Sequence, residues 1–180
     1  MGNCIGLIRG INVGRAKRIA MADLRRLVLD LGHTQVRTLL NSGNVIFESK
    51  RSNVAKIAAG IEAAIAAKCG FSASVTVITA QDLNRIVEEN PLLRMATDHA
   101  RHLVAFAANP KHLEALHAMQ KKPWTPDALA VTQHAAYLWC SAGILESKLS
   151  KEFARCAGAK LTSRNWATVL KLQAAARETT

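Results

Sequence analysis

The chain has 180 residues, with 24 Lys and Arg against 13 Asp and Glu, and a net charge of +11. Its 49% hydrophobic and 21% charged content excludes a disordered chain, a collagen and a coiled coil. A chain of this length hides about 70% of its unfolded surface without disulfide reinforcement, in one compact domain or two small ones.

Taken in order, the apolar, β-branched run from Cys4 to Val13, ended by Gly14, predicts a strand. Met21, Leu24, Leu27, Val28 and Leu31 follow at helical spacing, and Gly32 is placed to stop that helix. Gln35 to Leu40 and Val45 to Glu48 are two extended runs around Asn41-Ser42-Gly43-Asn44, residues that tolerate the positive φ of a tight hairpin. A second helix starts near Ser52-Asn53, turns Ile57, Ile61 and Ile65 to one face and stops at Gly70. Val75 to Ile78 supplies a fourth strand, so residues 1–80 read βαββαβ.

The second half, residues 81–180, repeats this order loosely. Thr79 to Asp82 resembles a capping box for a helix bearing Leu83, Ile86 and Val87, which Asn90-Pro91 ends. His102 to Ala108 reads as a strand. Asn109-Pro110 then opens one helix carrying Leu113, Leu116 and Met119. Ala128 to Thr132 and Ala136 to Cys140 are extended, and Leu145, Leu149 and Phe153 mark a helix closed by Gly158. A short strand at Lys160-Leu161 precedes a last helix with Trp166, Val169 and Leu170, capped by Thr162 or Ser163. The expected fold is α+β, with two tandem ferredoxin-like units whose antiparallel sheets are covered by helices.

Enzyme signatures are missing from the sequence. It contains no GxGxxG, GxSxG or HExxH, and Gly10-x-x-x-Gly14-Arg15 lacks the Lys-Ser/Thr of a phosphate-binding loop. Neither His99 with His102 nor His112 with His117 brings a third ligand, so no metal and no cofactor is expected. Cys4, Cys69, Cys140 and Cys156 form no CxxC pair, and the opening residues have neither a secretory leader nor the Ser/Thr that acylation requires where Gly6 stands. Glu62 and Lys68 interrupt the most apolar stretch. A cytoplasmic protein with no membrane partner follows as the expectation.

The positive charge is concentrated. Arg9 to Arg26 holds six basic groups against Asp23, and Lys148 to Lys171 six against Glu152. A helix start carries partial positive charge, which disfavours cations by about 0.3–1 kcal/mol, yet Arg15 to Arg18 precede the first helix and Arg164-Asn165 open the last. Such placement suits an anion held jointly by backbone N–H groups and guanidinium forks. Asn12, Asn41, Ser42 and Asn44 add neutral donors. Asn12 stands out because a strand interior seldom favours asparagine.

Leu7-Ile8-Arg9-Gly10-Ile11-Asn12-Val13-Gly14, Met21-Ala22-Asp23-Leu24, Ser42-Gly43-Asn44-Val45 and Thr162-Ser163-Arg164-Asn165-Trp166-Ala167-Thr168-Val169 resemble the bacterial domain-of-unknown-function family 1697 across nearly the whole chain. The resemblance implies tandem ferredoxin-like units and no established activity, and it adds weight to Arg9, Asn12, Ser42, Asn44, Arg164 and Asn165. The sequence departs from the family at Arg15, where a second glycine is usual, and at Asn41, where glutamine is common. The expected site gathers Arg9, Asn12, Arg15, Lys17, Asn41, Ser42, Asn44, Arg164 and Asn165 around a small phosphate- or carboxylate-bearing ligand, with no catalytic residue assigned. Two other readings stay open. One is non-specific nucleic-acid binding through the same basic surface, disfavoured by the 4% aromatic content. The other is a protein-interaction module.

Overall fold

The computed structural model describes residues 2–13, 16–158 and 160–177. It is α+β, with two four-stranded antiparallel sheets and, among the described residues, seven helices. The chain divides into two compact units, Met1–Leu83 with Leu172–Thr180, and Asn84–Lys171.

The first unit runs β1 (Gly2–Ile8), α1 (Met21–Asp30), β2 (Thr34–Leu39), β3 (Asn44–Ser49), α2 (Val54–Cys69) and β4 (Val75–Thr79). Its strands lie in the order β2-β3-β1-β4, and every neighbouring pair is antiparallel. Side chains alternate across a strand, so Cys4, Ile8, Val45, Phe47, Val75 and Val77 share one face. Against it pack Leu24, Leu27 and Val28 of α1 and Ile57, Ile61 and Ile65 of α2. Asn53 caps α2 by accepting from the Lys56 N–H at 3.0 Å, and Gly70 ends it at φ 72°.

A helix, α3 (Ala80–Glu88), follows β4. Its start is the reciprocal cap expected from sequence: the Asp82 N–H donates to Thr79 Oγ1 at 3.0 Å, and Thr79 Oγ1 donates to Asp82 Oδ2 at 2.6 Å.

The second unit contains β5 (His102–Ala107), α4 (Lys111–Glu114), α5 (His117–Gln120), β6 (Ala128–Val131), β7 (Ala135–Trp139), α6 (Lys148–Ala157), β8 (Leu161–Asn165) and the start of α7 (Trp166–Arg177). The sheet order β6-β7-β5-β8, again antiparallel throughout, repeats the first. Ala105, Leu129, Ala136, Leu138 and Leu161 pack beneath Leu113, Leu116 and Met119 and beneath Leu149 and Phe153 of α6. Tyr137, Phe106 and Val104 alternate to the opposite face and are buried there, with the Tyr137 hydroxyl donating to the Ile86 carbonyl at 2.8 Å. The last turns of α7 belong to the first unit, where Asn3 Nδ2 donates to the Ala176 carbonyl at 2.9 Å and the Arg37 guanidinium donates to the Ala175 carbonyl.

Five local expectations need correction. β1 ends at Ile8 rather than Val13, because Gly10 (φ 71°) and Asn12 (φ 57°) take left-handed backbone and turn the chain away from the sheet. The helix expected through Leu113 and Met119 is two four-residue turns, α4 and α5, although Leu113, Leu116 and Met119 still share the core. Leu145 lies before α6 and is 83% exposed. The final strand extends to Asn165, so Arg164 sits on β8 opposite Val104 rather than within a helix start. Asn165, rather than Thr162 or Ser163, caps α7, its Oδ1 accepting from the Thr168 N–H at 2.9 Å. Among the described residues no helix is long and apolar enough to cross a membrane.

Candidate functional site

The candidate residues of the first unit gather where the loop after β1 meets the β2–β3 turn. Asn12 organises this meeting. Its backbone N–H donates to the Lys17 carbonyl at 3.1 Å, and its Oδ1 accepts from the Ile19 N–H at 3.0 Å. Its Nδ2 donates to the Ile19 and Asn41 carbonyls, both at 3.0 Å. One amide thereby joins residue 12 to residue 19 and ties both to the neighbouring turn. Sequence reasoning flagged Asn12 for the wrong cause: the residue is in left-handed backbone, which asparagine tolerates, not in a strand. Asn12→Ala is expected to lower stability by about 1–2 kcal/mol, from lost hydrogen bonds in a half-buried setting. Urea denaturation measures that loss, and amide exchange should accelerate at Ile19, whose N–H loses its acceptor, and at position 12, whose N–H donates to the Lys17 carbonyl.

The turn itself is fastened from below. The Ile8 N–H donates to the Gly43 carbonyl at 2.8 Å, and Gly43 adopts φ 76° directly over Ile11. Asn44 is fully buried, its Nδ2 donating to the Leu39 carbonyl and to Ser42 Oγ, each at 2.9 Å. The positive φ values expected somewhere in this turn fall on Leu40 (58°) and Gly43, not on Asn41 or Asn44. Arg9 follows β1, its N–H donating to the Ser74 carbonyl at 2.8 Å. Lys17 is exposed, at φ 54°, and its Nζ donates to the Ser72 carbonyl at 3.0 Å. Arg15 lies outside the described residues.

A groove of about 610 Å³ opens beside this junction, lined by Asn12, Arg18, Ile19, Ala20, Met21 and Asn41. Ala20 stands at the N-cap of α1 and no side chain caps that end, so the first backbone N–H groups of a ten-residue helix face this region with their partial positive charge. Asp23 is the acidic residue of that first turn, and it lines a separate groove of about 300 Å³ with Arg26 and Lys68. Sequence reasoning counted Arg18 among the basic cluster without assigning it to the site. Its position two residues before the N-cap was the available signal.

Arg164 and Asn165 belong to the second unit. Arg164 is half-buried on the sheet face that carries Val104, Phe106 and Tyr137, where its Nη1 donates to the Ser163 carbonyl at 2.8 Å. Burial pushes its guanidinium down to about 10, which leaves it a cation at neutral pH. Asn165 uses its side chain as the cap of α7.

Cys4 and Cys140 are buried, and burial raises both thiols above their usual range. Asp127 is held below the usual carboxylate range by Ser147 and Ser141, despite the opposing effect of its burial. Ser141 Oγ and N–H donate to its Oδ1 at 2.8 Å, and Ser147 Oγ to its Oδ2 at 2.6 Å. Because Ser147 also caps α6, this carboxylate acts as a brace for the helix start. Among the described residues no three His, Cys, Asp or Glu side chains converge.

The sequence profile of a family described as a protein of unknown function, DUF1697, matches residues 1–137. No curated protein sequence matches the chain. The chain is similar in structure to a conserved bacterial protein from Streptococcus pneumoniae, with a TM-score of 0.77 and 23% identity over 97% of this chain and 98% of that one. At that identity the likeness speaks for the fold alone.

Proposed function

Since the chain belongs to the DUF1697 family, which brings no established reaction with it, we propose from its own residues that the first unit binds a small phosphate- or carboxylate-bearing ligand in the groove beside α1. The observation that carries this reading is the meeting of three features. They are a groove of about 610 Å³, the guanidinium of Arg18 in its lining and the start of α1 without a side-chain cap. Arg9, Arg15, Lys17 and Arg18 place four cations and no acid between residues 9 and 20, so the local potential favours an anion. Asn12, Ser42 and Asn44 support the site from behind, the Asn12 amide bonding to Ile19 and Asn41 and the Asn44 amide to Leu39 and Ser42 Oγ. Asn41 is exposed and available to a ligand along the groove wall.

The matching strand orders β2-β3-β1-β4 and β6-β7-β5-β8 support reading the halves as tandem ferredoxin-like units. All four cysteines are free thiols, as suits a cytoplasmic protein.

Thermal unfolding against a panel of nucleotides, phosphosugars and dicarboxylates tests the reading. A ligand at about 100 times its Kd adds about 2.7 kcal/mol, equivalent to a rise of about 5–10 °C in Tm for a protein of this size. Arg18→Ala is expected to abolish the rise. A panel that shifts Tm no more than sodium chloride of equal ionic strength overturns the proposal. Salt-sensitive binding of duplex DNA or RNA without any small-molecule response favours the nucleic-acid reading instead.

A further inference from the structure

We infer that the second unit holds a further site, a groove beside the start of α6 that takes a zwitterionic α-amino acid with an apolar side chain. The inference stands apart from the anion groove of the first unit and does not depend on it. This groove measures about 430 Å³, a size typical of small-molecule sites. Its lining includes Pro123, Trp124, Pro126, Asp127, Glu146 and Lys148, all residues of the second unit. The whole chain sets 24 Lys and Arg against 13 Asp and Glu, yet here two carboxylates stand with one ammonium. Glu146 and Lys148 are exposed, and neither side chain makes a hydrogen bond or ion pair among the described residues. Asp127 is bonded but not neutralised. Its partners are the Ser141 N–H and the hydroxyls of Ser141 and Ser147, none of them a cation. Those donors fill three of the roughly four acceptor positions of a carboxylate, and the fourth, on Oδ2, remains for a ligand.

Each part of the ligand follows from one of these groups. A purely anionic ligand would bring its charge to two carboxylates, and a purely cationic one would leave the Lys148 ammonium unmatched. Glu146 and Lys148 lie on either side of Ser147, whose backbone is extended at φ −63° and ψ 123°, so their Cα atoms are at most about 7 Å apart. Opposite charges that close together suit a molecule with an ammonium and a carboxylate on one carbon atom. The ammonium goes to Glu146 and to the open position on Asp127 Oδ2, and the carboxylate goes to Lys148. Trp124 decides the rest of the ligand. It is half-buried, and its indole N–H already donates to the Met119 carbonyl at 2.9 Å, so what it offers is apolar ring surface. Covering that ring with a hydrocarbon or aromatic side chain adds affinity that a polar side chain would not gain.

Fluorescence titration of the full chain tests the inference. Trp139 and Trp166 are only 9% and 3% exposed, so Trp124 is the tryptophan within reach of a groove ligand. The probes are L-phenylalanine, phenethylamine, which lacks the carboxylate, 3-phenylpropionate, which lacks the ammonium, and glycine, which lacks the side chain. L-Phenylalanine is expected to change the emission and to bind at least about threefold more tightly than each of the others, the margin of one partly exposed ion pair or of a small buried apolar area. Lys148→Ala should erase the margin over phenethylamine and keep that over 3-phenylpropionate. Glu146→Gln should narrow the margin over 3-phenylpropionate and keep that over phenethylamine. No response to any probe overturns the inference, as does any of the other three probes matching L-phenylalanine on the unaltered chain. Binding unchanged by both substitutions also overturns it. If that binding is lost in Arg18→Ala instead, the ligand sits in the first unit's groove, and the anion site proposed there stands.

Discussion

Gly43→Ala is expected to destabilise the protein by about 2–4 kcal/mol, although it adds a single methyl group. Two effects combine. Gly43 holds φ 76°, where an L side chain costs roughly 1–2 kcal/mol. A Cβ there would also meet Ile11 Cδ1 at 2.8 Å, Ile11 Cγ1 at 3.0 Å and the Ile8 carbonyl oxygen at 3.0 Å. Ile11 is buried and the Ile8 oxygen is backbone, so neither yields easily, and overpacking of this kind costs about 1–3 kcal/mol. Gly10→Ala is the matched control: its φ is 71°, but nothing lies within 4 Å of the added Cβ. That variant should lose only about 1–2 kcal/mol. Urea denaturation of the two variants separates backbone strain from packing. Equal losses would show that the turn is not seated on Ile11 as described.

The same turn shows why some of the fold was readable in the sequence and some was not. Strand and helix identity follow from periodicity, a local property. Ile57, Ile61 and Ile65 recur every four residues and lie on the buried stripe of α2, with Asn53 and Gly70 marking its ends. The stretch from Ile8 to Val13 is different, because apolar content alone does not distinguish a strand from a loop whose alternate residues plug a core. Ile11 is buried while Val13 is 75% exposed, and the backbone reversals at Gly10 and Asn12 decide which. Leu145 misled in a similar way, since its spacing to Leu149 and Phe153 continues a helical stripe beyond the N-cap at Ser147. The break between α4 and α5 leaves Leu113, Leu116 and Met119 buried, so the periodic signal was right about the core and silent about the helix.

At the candidate site, residue types were legible and their tasks were not. Asn12, Ser42 and Asn44 drew attention as polar groups near strand ends, yet a single sequence does not reveal whether an amide faces a ligand or a carbonyl of its own chain. Asn44, with no exposure and two donated hydrogen bonds, is the clear case of the latter. Cations were easy to count and hard to place. Arg18 lines the groove next to Ile19, which the Asn12 side chain holds through hydrogen bonds between residues seven apart.

In the second unit, His102→Leu is expected to cost about 2–4 kcal/mol at neutral pH and to change how stability responds to acid. His102 is fully buried between two partners: Nδ1 lies 3.0 Å from the Leu138 carbonyl oxygen and Nε2 lies 2.8 Å from Asn90 Nδ2. A carbonyl only accepts, so the proton sits on Nδ1, and Nε2 accepts from the asparagine. This neutral tautomer satisfies both contacts, whereas a second proton on Nε2 would face the Asn90 amide hydrogens. Burial accordingly lowers the imidazole pKa from 6.5, and the nearby His99 lowers it further, against the opposing Leu138 hydrogen bond. The unfolded chain therefore takes up this proton first as pH falls, so the stabilisation is complete above about pH 6.5 and declines below it toward the folded-state value. His33, buried beside Phe47 with its pKa also lowered by burial, acts in the same direction and leaves a residual slope in the variant. Urea denaturation of both proteins from about pH 8 to about pH 5 should find their stability gap narrowing with acid. A gap constant across that range would mean that folded and unfolded chains protonate His102 equally, and the hydrogen-bonded neutral ring would have to be abandoned.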